Sequence, residues 1–557
     1  MKLIKTISIL FVLLFISCQN KNSKLKTDLA AIDFLRGDLV LCSGSQFGDV
    51  SFSFYCKYAT REKFDLGLSL LHSFEYEEAE KAFVQVIDID PNCAMAYWGV
   101  AMSNFRSLWI QTGTDYLEKG SKLLKIAESL NKSEREQEYL DAIGEFYKDW
   151  KNVDEKTRIS NFEKKMEFIY NKYNDDKEAA IFYALALRAS ADPTDKTYKN
   201  QLKSGKILES LFPDQPNHPG IAHYIIHNYD YPELAELALP TARKYAEIAP
   251  ASAHAQHMPS HIFTRLGLWG ESIDTNLNST SSAVCYSESV DPDSHWAQEI
   301  HAMDYLVYAY LQRGNNNLAN EQKEYMYTFK KVFPLDFAAS YAMIAIPARI
   351  VLENKQWENA AKLELPPLDF PWYQFPWQMS ILHFTRAMGF SHLGEIASAE
   401  KELLSLKSLH KKLLDIQDEY KANQVLIQIN IAQAWIGFSI GNKKDALVYM
   451  LKAVELESNT SKHPVTPGEV LPARELLGDM FLEMNNASKA LEAFEMNLKG
   501  RPNRFNSIYG AAVSASRMGD NEKAKQYFEM LLKLTKGSNS DRPEIDEAKL
   551  FLDKRSA

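Results

Sequence analysis

The chain has 557 residues, more than one ordinary domain holds, and only 44 of them are Gly or Pro, about 8% against the roughly 12% of average proteins. That excludes collagen-like, linker-rich and low-complexity chains, and 46% hydrophobic with 24% charged residues excludes wholesale disorder. A net charge of -10, with no dense basic block, argues against nucleic acid as a partner, and five Cys do not make a disulfide scaffold.

Met1-Lys2-Leu3-Ile4-Lys5 brings two positive charges, an apolar run from Ile7 to Ile16 follows, and Ser17-Cys18 closes it. Residues 1–17 read as a secretory signal peptide, too short to persist as a spanning helix. The junction resembles the lipobox of bacterial lipoproteins, with Phe15 where Leu is usual. The resemblance implies that Cys18 carries palmitate-type fatty chains that anchor the protein to a membrane. Gln19 after the Cys implies the cell envelope, at the outer membrane, facing the periplasm or the cell surface. The other reading is a simple secreted protein. Residues 18–57 form a polar tether and an N-terminal segment. Cys42 and Cys56 lie 14 apart, and a disulfide or two free thiols both fit that spacing.

No second apolar run approaches 18 residues, and the body shows an internal period. Leu66-Gly67, Leu70, Tyr76, Ala79, Phe83 and Pro91 open the pattern over residues 58–125, and Tyr97, Val100 and Ala101 continue it. It returns over 461–557 as Leu477-Gly478, Phe481, Ala490, Phe494 and Pro502, then as Ala511-Ala512, Gly519, Ala524 and Phe528. These spacings resemble the tetratricopeptide repeat (TPR). The expected fold is all-α, a TPR-type solenoid of helical hairpins with a concave groove, since one hairpin cannot bury its apolar face alone. Residues 126–210 read as irregular hairpins, with Glu178–Ser190 and Tyr198–Phe212 as one pair. Residues 211–335 are His-rich TPR-like hairpins. Residues 336–460 hold further hairpins, for example 384–393 followed by 397–414. The Pro- and ring-rich stretch from Pro366 to Trp377 is expected to be an ordered loop packed on the solenoid.

Eight of the 13 His fall between His218 and His301, a several-fold excess over an even spread. Pro216 and Pro250 lie one repeat apart. Counted from them, His223 and His257 take the fifth place of successive repeats and His227 and His261 the ninth. Each pair is therefore i,i+4 on one helix face, on stacked neighbours. His254 takes a second place, and His301 and Asp304 follow if Gly314 marks the next turn. One groove wall would then carry His223, His227, His254, His257, His261, His301 and Asp304. Imidazoles in this register are a ligand geometry for a transition metal such as Zn, Cu or Fe. Pro259 is expected to kink its helix and turn His261 inward. Polar lining for an organic ligand and structural hydrogen bonding are the alternatives. His218 and His295 read as capping or turn residues, and Cys285 lies outside the phase.

The H-E-x-x-H, G-x-S-x-G, P-loop and G-x-G-x-x-G patterns are absent in the contexts that give them meaning. His463 in the stiff loop 462–469, Arg474 after it, and Arg504 at the start of the last repeat are further groove candidates. Ala94-Met95-Ala96-Tyr97-Trp98-Gly99, His257-Met258-Pro259-Ser260-His261-Ile262-Phe263, His463-Pro464-Val465-Thr466-Pro467-Gly468 and Pro502-Asn503-Arg504-Phe505-Asn506 together resemble an uncharacterised, His-rich family of bacterial TPR lipoproteins. That resemblance bears on architecture and adds nothing to the chemistry. The SusD type of nutrient-binding lipoprotein is a weaker match.

Two functions follow. The first is an exported, lipid-anchored TPR scaffold whose groove binds a peptide, protein or glycan. The second is a metal-dependent oxidoreductase or hydrolase with the His cluster as ligands and Asp304 or Glu299 as carboxylate ligand or base.

Overall fold

The computed structural model describes residues 25–42, 46–106, 108, 112–192, 195–460 and 463–556. The signal peptide and Cys18 lie outside these residues. Among the described residues between Arg61 and Ser556 the chain forms 26 α-helices, so the all-α, TPR-type expectation holds. The β structure among the described residues is a two-residue pair, His295–Trp296 running parallel to Val332–Phe333. Among them, too, no helix is long and apolar enough to cross a membrane.

The chain forms two compact units. Among the described residues, the N-terminal one comprises 25–41, 46–106, 108, 112–192 and 197–228, and the C-terminal one comprises 42, 195–196, 229–460 and 463–556. The division falls at 228/229. The physical reason is a buried polar knot: His218 and Tyr224 bond with Glu178 and His72, which holds the stretch after 210 to the N-terminal unit.

In the N-terminal unit the repeat signature has a packing cause. Helices Arg61–His72, Tyr76–Ile89 and Ala94–Phe105 stack in turn. The buried Phe83 ring lies between Gly67 and Gly99, where a Cβ would come within 3.1 and 2.5 Å of it. Only glycine lets both neighbouring helices close on that ring. The expected hairpin at 178–212 is present as Lys177–Ala189 and Lys199–Leu211. A disulfide joins Cys56 to Cys93.

The C-terminal unit repeats the device: Phe494 lies between Gly478 and Gly510, with 2.7 Å to a Cβ built at Gly478. Cys42 is bonded to Cys285, so it is bridged to neither Cys56 nor left as a thiol. The hairpin expected at 384–414 is formed by Pro376–Leu393 and Ile396–Asp415. Its first helix starts eight residues earlier than expected because Pro376 takes the first helical position, where a missing N–H costs nothing. The loop before it is ordered. Phe370 is buried against Trp372 and Phe375, with ring centroids 4.5 and 5.4 Å away, while Tyr373 is 72% exposed.

Candidate metal centre

In the C-terminal unit, Ser252 caps the five-residue helix Ala253–His257 by accepting the Ala255 N–H at 3.0 Å. Pro259 has no N–H to continue that helix, and a second one, Pro259–Leu266, begins there. The break expected at Pro259 is thus present. His257 and His261 stand on either side of it with ring centroids 5.0 Å apart. His301, on helix Ala297–Gln312, brings its ring within 4.3 Å of His257. One nitrogen from each of the three rings lies within 4.8 Å of the others.

Each of the first two rings is held from behind. Asn276, on helix Trp269–Val290, donates its amide to the Ser272 carbonyl at 2.6 Å, which leaves Oδ1 to accept the His257 Nδ1–H at 2.7 Å. The His261 Nδ1–H donates to the Asp230 carboxylate at 3.0 Å, and Arg265 grips the other oxygen of Asp230 at 2.9 Å. With both Nδ1 atoms protonated, both Nε2 atoms present lone pairs, and these face each other at 3.1 Å. Two bare lone pairs at that distance repel. A shared cation removes the conflict. Two imidazole nitrogens on one tetrahedral ion would sit about 3.3 Å apart.

Burial, then the nearby His301 and His261 rings, holds His257 well below the usual imidazole range. Tyr305, whose hydroxyl lies 3.2 Å from His261 Nδ1, is pushed well above its usual range by burial and by Asp230.

The other expected residues are placed as follows. His254 is on the same short helix, with its ring 6.4 Å from His257; burial, reinforced by His261, lowers it to about 3. Asp304 is not turned to the imidazoles. It is buried in an ion pair with Arg349, and burial still raises it to about 6 against the pull of that Arg. Glu299 is likewise taken, by His295 at 2.9 Å and the Tyr325 hydroxyl at 2.8 Å. This also corrects the reading of His295 as a simple turn residue. Arg504 lines no groove: it is fully buried, bonded to Glu475, Glu353 and Tyr308. His463 packs among the rings of Phe337, Trp377 and Tyr420, and Arg474 reaches Ser458 at 3.1 Å on the surface.

His223 and His227, on helix Pro219–Tyr229, belong to the N-terminal unit, whereas the three convergent rings belong to the C-terminal one. Their Nε2 atoms lie 2.9 Å apart, and His223 Nδ1 donates to the His72 carbonyl at 2.7 Å. All six expected wall histidines are between 0 and 7% exposed, so they are interior residues rather than the lining of an open groove. The helix Ala297–Gln312 shows why: nearly every position on it is buried, so no face is left to be a groove wall.

One cluster had no sequence signal. His72 Nε2 and His218 Nε2 lie 3.0 and 2.9 Å from the two oxygens of Glu178, all three residues being buried. Burial alone would raise Glu178, but the two imidazoles outweigh it and hold the carboxyl at about 2. His72 stands well over a hundred residues from His218, so no spacing rule could join them.

The tetratricopeptide-repeat family model matches residues 63–93. That stretch is a TPR hairpin. No curated protein matches the chain. Among solved structures, the APC/C hetero-tetramer Cut9–Hcn1 is similar at 12% identity and TM-score 0.31, over 89% of this chain and 97% of that one. The human IFIT1 dimer with PPP-AAAA is similar at 12% identity and TM-score 0.35, over 85% and 89%.

Proposed function

We propose that this is an exported, lipid-anchored TPR protein whose C-terminal unit binds a transition-metal ion through His257, His261 and His301. The observation that carries the reading is the 3.1 Å approach of two Nε2 atoms whose Nδ1 protons are both committed, to Asn276 and Asp230. Metal-ligating histidines are oriented in this way, by an acceptor behind the ring. An imidazole-only set without thiolate suits Zn or Cu, with Fe also accommodated. Three protein ligands leave a further position for water or a substrate, which is what a metal-dependent enzyme would require. TPR folds bind proteins and peptides in general, and the repeat surfaces would serve a peptide, protein or glycan partner beside the centre. Export is supported by Lys2, Lys5, the Ile7–Ile16 core and Ser17-Cys18, and by two disulfides, bonds that persist in oxidising compartments.

Elemental analysis of untagged protein tests this. The expected result is stoichiometric metal, of which His257→Ala removes the ion of the C-terminal unit and His410→Ala, outside the cluster, removes none. Protein without stoichiometric metal, and without a thermal shift on adding Zn, Cu, Fe, Mn or Co, would overturn the centre and leave the scaffold reading.

A further inference from the structure

The geometry points to a second, structural divalent ion in the N-terminal unit, held by His72, Glu178 and His218. Charge is the first argument. In the C-terminal unit the buried carboxylates of Asp304, Glu353, Glu475 and Glu457 all meet an Arg, as Asp230 meets Arg265, whereas buried Glu299 meets one imidazole, that of His295. In the N-terminal unit buried Glu80 meets Lys119. Glu178 is 2% exposed and has neither Lys nor Arg within ion-pair distance; its partners are two imidazoles. The charge of Glu178 is therefore balanced by protons on the two imidazoles or, in their place, by a bound ion.

Distance is the second argument. Donors at 2.0–2.2 Å from one tetrahedral ion lie about 3.3–3.6 Å apart, a few tenths of an ångström wider than the contacts seen here. The His72 and His218 Nε2 atoms stand 3.0 and 2.9 Å from their carboxylate oxygens, and one donor atom from each residue lies within 4.8 Å of the other two. Two imidazoles and one carboxylate suit a first-row divalent ion such as Zn, Fe or Mn.

Preorganisation is the third. The His72 ring is fixed on several sides. Tyr224 Oη lies 2.9 Å from its Nδ1, Phe182 stacks on it at 4.9 Å, and Gly220 lies beneath, where a Cβ would come within 2.5 Å of Nδ1. Asp176 caps the helix that carries Glu178 and is itself held by Arg135 and Tyr139. By contrast, His218 Nδ1 is buried without a hydrogen-bond partner, so this ring makes its hydrogen bond to Glu178 alone. The trio joins helices Arg61–His72 and Lys177–Ala189 to the residue just before helix Pro219–Tyr229. Enclosure at 0–2% exposure leaves no approach for a substrate, which makes the ion a staple.

The test uses the full chain with Zn2+ alone as the probe. Chelator-stripped His257→Ala protein is titrated with Zn2+, and folding is checked by circular dichroism. It should take up about one ion per chain and melt at a higher temperature with it. Adding Glu178→Gln should abolish that uptake. His257→Ala protein that binds no ion overturns the N-terminal site and leaves the C-terminal reading standing. A chain with both substitutions that keeps its ion also overturns it. Should Glu178→Gln not fold, the first arm still decides, because its N-terminal site is native; His261→Ala serves in the same way if His257→Ala does not fold. Wild type that holds one ion, retained undiminished by His257→Ala, removes the C-terminal reading and leaves the N-terminal one.

Discussion

The His261 Nδ1 and the Asp230 carboxylate lie 3.0 Å apart, and that contact decides what the opposite side of the ring can do. A carboxylate only accepts, so Nδ1 carries the proton and Nε2 is left bare, pointing at His257. Asp230→Asn keeps the shape but allows the amide to donate, which releases the tautomer. Metal affinity should fall about 10- to 100-fold. Competition with a chromophoric chelator measures it, and unchanged affinity would show that Asp230 only anchors Arg265.

Acid should weaken the metal-free fold. Burial, opposed by a bond to the Met388 carbonyl and reinforced by Lys355, lowers His392 to about 4, between the rings of Trp357 and Trp435. Burial and His261 lower His254 to about 3. Both lie below the unfolded value of about 6.5, so the unfolded chain takes up these protons first. The share of stability that these two residues contribute is therefore full above pH ~6.5 and falls as pH drops towards the folded values. Urea melts of stripped protein between those limits should show it, and His392→Gln should flatten the slope. A slope unaffected by His392→Gln would assign the acid sensitivity elsewhere.

The fold was legible in the sequence where one residue type answers one packing demand. Gly67 and Phe83, or Gly478 and Phe494, are a ring and the gap that admits it, and their spacing betrays the hairpin. The pairing of His257 with His261 was legible for the same local reason, four residues of separation, although the helix breaks at Pro259 between them. What was not legible depends on long-range approach. The periodicity that placed Asp304 beside His301 gives a face but not a partner, and Arg349 claims that carboxylate from another helix. Periodicity also left burial undecided, because an inner helix and a groove-lining helix share one register. The Cys42–Cys285 bridge spans 243 residues, and His72 meets His218 only once the helices stack.

Gly67→Leu and Gly478→Leu should each destabilise by about 1–3 kcal/mol, the cost of overpacking a close contact. The structure names the atoms that collide: the ring of Phe83 in one case and of Phe494 in the other. Adding Phe83→Ala to Gly67→Leu should then recover part of the loss, because the new side chain enters the space the ring leaves. Chemical denaturation of the single and double variants gives the coupling. Strictly additive losses would mean that the ring and the glycine do not share one space.

The Cys56–Cys93 bond closes a loop of 37 residues, and its removal by Cys56→Ser with Cys93→Ser should cost about 2–4 kcal/mol. Calorimetry with and without reductant reads the same quantity in the wild type, where the Cys42–Cys285 bond adds its own share. A melting temperature indifferent to reductant would mean that these cysteines are not bonded in the isolated protein.

The two disulfides account for four of the five cysteines, which leaves Cys18. Its setting, directly after an apolar core and a small Ser17, is where a lipid anchor would be attached. Cys18→Ser should move the protein from the membrane fraction to the soluble fraction of the envelope, with its folded body unchanged. Labelling with a radioactive fatty acid should mark the wild type and not the variant. A Cys18→Ser protein that stays in the membrane fraction would show that some other feature, such as an uncleaved apolar N-terminus, holds it there.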